Sequence, residues 1–232
     1  MIVKPTALLI ASTQVHYQVD EDGNKHINGM LLDPDATDAE NLIEAAGRGC
    51  YESEHKPNPA TRKNADYLER TIFDQAHGSI SEHASSTVLL KGVSRSWLAE
   101  ATRHRPFSFS VRSQRFVNEE NMGVVLPPAV REHGCDYLLQ QIAGALVDDY
   151  KDIVDYMVNA GLPRKQAREA ARAVLPNMQE TRIVVSGNMR AWHEVVERRT
   201  APDADAEIRE VMGMVRDKLH EVAPNIFPKE EA

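Results

Sequence analysis

Residues 103 to 116, RHRPFSFSVRSQRF, hold four arginines, one histidine and three serines with no acidic residue among them. A guanidinium presents a planar fork matched to phosphate or carboxylate oxygens, and serine hydroxyls add donors that rotate to suit. The segment reads as a dense anion site, with a solvated basic loop as the competing reading. Phe107, Phe109 and Phe116 interleave with the charges, and apolar residues in alternation anchor such a segment against the body of a protein. A second basic stripe follows Pro163, where Lys165, Arg168 and Arg172 fall at i, i+3 and i+7 and share one helix face. A third feature is NMRAWHEVVERR, residues 188 to 199, with Ala191, Trp192, Val195 and Val196 as its packing side. Asn188 and Arg199 stand close to three whole turns apart and so lie on nearly the same face. A helix cap at Asn188 and dipole compensation at Arg199 would account for both without a ligand.

His77, Glu82 and His83 in HGSISEH are metal-ligating types, but the spacing is not HExxH and no nearby cysteine or acid completes a closed site. Buried, hydrogen-bonded histidines and no metal are the expectation. Ser113 has no general base beside it in sequence, which assigns it to binding rather than to nucleophilic attack. With no GxGxxG, Walker loop or nucleophile elbow, any flavin or nucleotide would be held by some other device than a Rossmann or P-loop turn.

These groups must be carried by a chain of 232 residues, 42% hydrophobic and 27% charged, the profile of a soluble globular protein able to bury a sizeable core. The formal net charge of -8 argues against general nucleic-acid binding and makes a local basic cluster more informative. No apolar run approaches the roughly 18 residues of a membrane span, and the opening MIVKPTALLIASTQ lacks the marks of a signal peptide, so a cytoplasmic protein is expected. Cys50 and Cys135 are too few for a disulfide framework or a zinc site of four cysteines and read as reduced thiols.

Hydrophobic periodicity and turn chemistry predict a strand over about 6 to 19 that reaches a turn at DEDGN, with a hairpin partner beyond it. A helix should follow Thr37 with Leu42, Ile43 and Ala46 on one face and stop at Gly47 to Gly49; CYESEHKPNP is a loop, and another helix runs over about 60 to 76. A strand is expected at 84 to 90, then a helix capped by Ser94, with Trp97, Leu98 and Ala101 buried, ended by Pro106. One long helix over 128 to 160, a basic helix over 163 to 174, a strand over 178 to 186, a helix capped by Asn188 and a last helix over 203 to 222 complete the chain. No repeat or linker divides it, so a single α/β domain over 1–232 is expected.

Arg103, His104 and Arg105 followed by Ser113 resemble the RHR-x7-S signature of the flavin-dependent thymidylate synthases. GRGCYES near 47 to 53, HGSISEH, SRSWLAEATRHR, RKQAREAARAVLP, ETRIVVSGNMRAW and Arg199 are similar to that family in order and spacing, over about residues 40 to 227. The resemblance implies an α/β (α+β) fold with a largely antiparallel sheet flanked by helices, assembled as a homotetramer whose active sites are shared between subunits. It implies methylation of dUMP to dTMP, with carbon from 5,10-methylenetetrahydrofolate and reducing equivalents from NADPH through FAD. By the same resemblance, Ser79, Arg103, His104, Arg105, Val111, Asn188, Met189, Arg190 and Glu194 should contact FAD. Arg95, Glu100, Arg103, Val111, Arg112, Ser113, Gln114, Arg115, Lys165, Arg172 and Arg199 should hold dUMP, with Arg199 against the uracil as the catalytic charge. The sequence departs from the family pattern at Val111, Glu194, Asp203 and Phe116, where relatives carry glutamine or glutamate, histidine or asparagine, and tyrosine. A non-enzyme alternative is a single-stranded nucleic-acid binder that uses the Arg/Phe-rich 103 to 116 loop as a stacking platform.

Overall fold

The computed structural model describes residues 1–229. In chain order the strands and helices are β1 (Ile2–Val3), β2 (Thr6–Ser12), β3 (Gln18–Val19), β4 (Lys25–Ile27), β5 (Met30–Leu31), α1 (Asp38–Gly49), α2 (Asn64–Leu68), β6 (Ser85–Ser94), α3 (Arg95–Ala101), β7 (Ser108–Val111), β8 (Val124–Val125), α4 (Pro128–His133), α5 (Asp136–Asn159), α6 (Arg164–Ala171), β9 (Glu180–Asn188), α7 (Met189–Thr200) and α8 (Ala206–His220). The central sheet has the order β2-β6-β9-β7 with every neighbouring pair antiparallel. Two small sheets accompany it, parallel β1-β8 and the meander β3-β4-β5.

Alternation along the strands separates two faces, as the pleat requires. Leu9, Val88, Val185 and Phe109 form one cross-strand row, and Ala7, Leu90, Ile183 and Val111 the next. Both rows join the main core together with Trp97 of α3, Trp192 and Val196 of α7, and Ile208, Val211 and Val215 of α8. On the opposite face the row Leu8, Leu89, Val184 and Ser110 is more open, Leu8 and Ile10 being 43% and 51% exposed. Two smaller clusters pack beside the main core, one around Met122, Val124, Leu126 and Ala143, the other joining Tyr150 and Val154 of α5 to Ala167 and Ala171 of α6.

Several boundaries differ from the sequence expectation for identifiable reasons. The first strand stops at Ser12, where Thr13 turns its N–H and hydroxyl to the Ser85 carbonyl. The DEDGN turn instead joins β3 to β4, with the Asp20 carboxylate accepting from the backbone N–H groups of Asp22 and Asn24. Thr37 and Glu40 form the reciprocal capping box that starts α1, but the buried side of that helix is Ile43 with Glu40, Glu44 and Arg48, leaving Leu42 and Ala46 half-buried. The helix after α2 continues as a π-helical turn over Glu69–Asp74. α3 ends at Ala101, five residues ahead of Pro106, and the long helix is broken at Gly134, whose left-handed conformation (φ 69°) closes α4 before α5 begins.

Gly92 sits where β6 shifts register against β9, at φ +68°, and an added Cβ would lie 2.1 Å from the Lys4 carbonyl oxygen. Left-handed backbone costs a non-glycine residue roughly 1 kcal/mol, and the clash is with backbone that cannot swing aside. Gly92→Ala should destabilise the fold by about 2 kcal/mol or more, read as a lowered denaturation midpoint. Gly144 in α5 faces open space, so Gly144→Ala should instead raise stability by about 0.5 to 1 kcal/mol.

Candidate active site

Ser94 ends β6 and caps α3, its Oγ accepting from the Trp97 N–H at 2.9 Å, while its own N–H and hydroxyl donate to the buried Glu207 carboxylate at 2.8 and 2.6 Å. Burial pushes the Glu207 carboxyl above its usual range, against the opposing pull of those Ser94 bonds. This junction fixes Arg95 in the first turn of α3. Phe107 fixes the other wall: its ring packs on Trp192 with centroids 4.4 Å apart and lies over Gly187, where an added Cβ would come within 2.4 Å of the ring. Phe109 meets it edge-on at 6.1 Å. These two rings are absorbed by the core, so the stacking platform of the alternative reading is reduced to Phe116, 61% exposed.

Beyond β7, the Arg112 N–H donates to the Arg182 carbonyl at 3.0 Å, and the chain turns so that Arg112, Ser113 and Gln114 are half-buried. The Arg112 guanidinium lies between Glu119, with which it forms a short ion pair, and Glu180 at 3.3 Å. Its carbonyl accepts from Arg95 Nη2 at 3.1 Å. Gln114 bonds the fully buried Gln179 through their side-chain amides. The loop is seated on α6: Arg168 donates to the Phe116 carbonyl at 2.8 Å, Lys165 stands 5.0 Å over the Phe116 ring, and Arg115 faces Glu169 at 3.8 Å. Arg172, the C-cap of α6, completes the group.

The electrostatics are those of a cluster with an excess of positive charge. Burial pulls the Arg95 guanidinium below its ordinary pKa; Glu119 opposes that shift, while the charges of Arg112 and Arg172 add to it. Arg172 has no side-chain partner among the described residues. Arg95 Nε, Arg112 Nε and Gln179 Nε2 are buried donors without an acceptor among the described residues, an excess that a phosphate or carboxylate would satisfy.

A second cluster lies at the end of α7. Arg199 donates from Nε to His104 Nε2 and from Nη1 to Glu100 Oε2, both at 3.0 Å, leaving Nη2 without an acceptor among the described residues. An acceptor at Nε2 assigns the His104 proton to Nδ1. Burial holds this imidazole below its usual pKa, with Arg199 and Arg198 adding to the shift. A third cluster lies at the start of α7, where Arg190 pairs with Glu82 at 2.7 Å and Glu194 at 2.9 Å, and Asn188 Oδ1 caps the helix by accepting from the Ala191 N–H at 2.8 Å. Ser79 is exposed nearby in the turn Gly78–Glu82.

One chain therefore brings together Arg95, Arg112, Ser113, Gln114 and Arg172, with Arg115 and Lys165 at the rim, and separately joins Glu100 and His104 to Arg199. Arg103 and Arg105 stay exposed beside His104 with no side-chain partner among the described residues. The expected flavin residues are divided: Arg190 and Arg199 sit at opposite ends of α7, about 14 Å apart at 1.5 Å per residue. Three expectations change. The Met189 side chain is fully buried and its N–H is donated to the Ala84 carbonyl, so this residue serves the core. The Val111 side chain packs against the core, which leaves only its backbone for a ligand contact. His77 and His83 are exposed, because the tight Gly78–Glu82 turn buries Ile80 and Ser81 instead. Sequence reasoning missed Glu119, Gln179 and Glu180, whose partners are 7 to 68 residues away; Glu119 in particular sits in NEENMG, which reads as an ordinary polar turn.

The sequence and the fold match one family. A model of the thymidylate synthase complementing protein family covers residues 31–225. The flavin-dependent thymidylate synthase of Corynebacterium efficiens is 45% identical over 209 residues, 85% of this chain and 82% of that protein, and that of Mycobacterium tuberculosis is 45% identical over 212 residues, 85% and 84% of the two chains. Among solved structures, Helicobacter pylori thymidylate synthase X with FAD and dUMP superposes with a TM-score of 0.69 at 17% identity, covering 97% of this chain and 98% of that one. The UMP/dUMP methylase PolB from Streptomyces cacaoi, bound with 5-Br dUMP, gives 0.68 at 18%, covering 97% and 93%. The chain belongs to the flavin-dependent thymidylate synthase family, also described as the thymidylate synthase complementing proteins.

His104 supplies a pH test. Above about pH 6.5 both folded and unfolded chains hold a neutral ring, and the Arg199 bond contributes in full. As pH falls through that value the unfolded chain takes the proton first, so stability is lost until the depressed folded pKa is passed. The melting temperature should fall between about pH 7 and pH 5, and less steeply in His104→Gln. Parallel curves for the two proteins would rule out this role.

Proposed function

We propose that this chain methylates dUMP to dTMP, with 5,10-methylenetetrahydrofolate as carbon donor and NADPH as reductant through FAD. The observation that carries the reading is the group formed by the half-buried guanidiniums of Arg95 and Arg112 with the exposed Arg172 beside them, buried donors being left unpaired beside the Ser113–Gln114 loop in a chain of this family. A nucleoside monophosphate offers that group a phosphate dianion. Arg95 and Arg172 take the phosphate, Ser113, Gln114 and Arg115 add donors, and Lys165 stands at the rim as a further cation. Among the described residues Ser113 has no acid or histidine within hydrogen-bonding distance, its Oγ accepting only from the Arg115 N–H at 3.4 Å, so it binds and does not attack.

Arg199 serves the base. Glu100 and His104 fix the plane of its guanidinium, and the free Nη2 is positioned to stabilise negative charge as the uracil ring becomes nucleophilic, with no proton transferred. When bound, FAD supplies the reducing equivalents of the methylation; Arg103, Arg105, Ser79, Asn188 and Arg190 are the residues that would hold its phosphates and polar edges. Because the Asn188 and Arg103 groups lie at opposite ends of α7, we assign the complete flavin site to a homotetramer in which subunits share active sites. The open row Leu8, Leu89 and Val184, with Tyr137, Leu138, Ile142 and Tyr156 exposed along α5, supports such an assembly. Among the described residues no helix is long and apolar enough to cross a membrane, and nucleotide and folate substrates favour a cytoplasmic enzyme.

The protein should bind FAD with the visible spectrum of a flavoprotein and form dTMP from dUMP only when methylenetetrahydrofolate and NADPH are both present. Absence of dTMP with all components, by chromatography, would refute the activity. Within that assay, Arg199→Ala should lower kcat by roughly 100-fold, the scale of losing one preorganised charge, while changing dUMP affinity much less. Arg199→Lys should recover activity in part, since it keeps the charge without the planar fork.

A further inference from the structure

Glu119 is 0% exposed, lies outside every motif that carries the family resemblance, and has one oxygen, Oε1, with no partner among the described residues. Its other oxygen pairs with Arg112, whose side chain is only 17% exposed and also meets Glu180. Two carboxylates thus absorb the charge of Arg112. What Arg112 offers the site is its backbone carbonyl, which accepts from Arg95 Nη2 at 3.1 Å. Arg95 has few other restraints: its Nε is unpaired among the described residues, and it is repelled by Arg112 and Arg172 while Glu119 attracts it.

Three guanidiniums from the start of α3, the end of β7 and the end of α6 repel one another, and without restraint long cationic side chains turn outward to water. We propose that Glu119 is the positioning residue of the phosphate site: by pinning Arg112 it holds the carbonyl that aims Arg95 at the nucleotide phosphate. Glu180 joins the same network from β9 and also faces Arg182 at 3.5 Å. Glu119 itself touches no ligand. It makes the loop after β7 a fixed mount, so that the phosphate meets arginines already in place. The inference rests on the dUMP reading above and adds the residue on which phosphate recognition depends.

The test compares binding of dUMP with that of deoxyuridine, which lacks the phosphate, by calorimetry on the FAD-loaded protein well below its melting temperature. Wild type should bind dUMP more tightly; no phosphate preference in wild type would overturn the nucleotide reading and this inference with it. Glu119→Gln keeps the shape and removes the charge. It should weaken dUMP by roughly ten-fold, the scale of one misplaced charge-assisted bond, with deoxyuridine unchanged and with KM rather than kcat affected. Undiminished or tighter dUMP binding would show that Glu119 merely offsets positive charge, and equal losses for both ligands would show a general structural role; either overturns the proposal. If Glu119→Gln does not fold, Glu119→Asp is measured instead, which keeps the charge but draws the carboxylate back by one methylene. It should show the same selective loss, because Arg112 is no longer pinned in place. Full retention of phosphate preference in Glu119→Asp overturns the proposal.

Discussion

Positive charge held partly out of water and close to like charge is the constraint on which this structure turns. Arg95, Arg112 and Arg172 come from three elements, and guanidiniums cannot shed their protons to relieve repulsion. The protein must therefore hold them by geometry. The Ser94 cap tied to Glu207 fixes Arg95, the β7 ladder sealed by Phe107 on Trp192 fixes Arg112, and the end of α6 places Arg172 beside them. On the function proposed above, a phosphate would turn an unfavourable arrangement into a favourable one, and selectivity for it would follow from rigidity.

α7 acts as a strut between two further sites. Its first turn carries Arg190 with Glu82 and Glu194, and its last carries Arg199 with Glu100 and His104. Because Val195, Val196 and Trp192 bury one side of this helix, the distance between its ends is set by the core. A ligand that needed both ends at once would have to span the helix, and this distance is the ground on which a shared flavin site is proposed. Glu194 pairs with Arg190 directly and so lowers the positive charge presented at that end.

Another part of the family resemblance proves to serve the fold. In GRGCYES, Arg48 is buried, bonds Glu44 at 2.7 Å and lies 4.3 Å from the centre of the Tyr67 ring; Glu44 also takes Lys56 and the Asn64 amide. Gly47 is required because the Tyr67 hydroxyl would sit 2.4 Å from an added Cβ. Such a buried network is costly to break, since removing any member strands a charge or polar group. It clasps α1, the loop after it and α2 together beneath the exposed Ser79 turn.

Local signals decided much by themselves. The capping residues Thr37, Ser94 and Asn188, the proline before α6, and the alternation of β6 and β9 are written in near neighbours, and so those elements were legible from the sequence. The basic character of 103 to 116 and the face shared along α6 were legible too, because side-chain type and helical spacing are local facts. Partnership was not. That Glu119 and Glu180 would claim Arg112, that His104 and Glu100 would hold Arg199 from 95 and 99 residues away, and that Met189 and Val111 would turn inward depend on how distant elements pack. Sequence supplied the charges and most of the elements that carry them; tertiary structure decided which charges are neutralised within the protein and which remain for a ligand, since that depends on distances of a few ångströms between segments the chain order keeps apart.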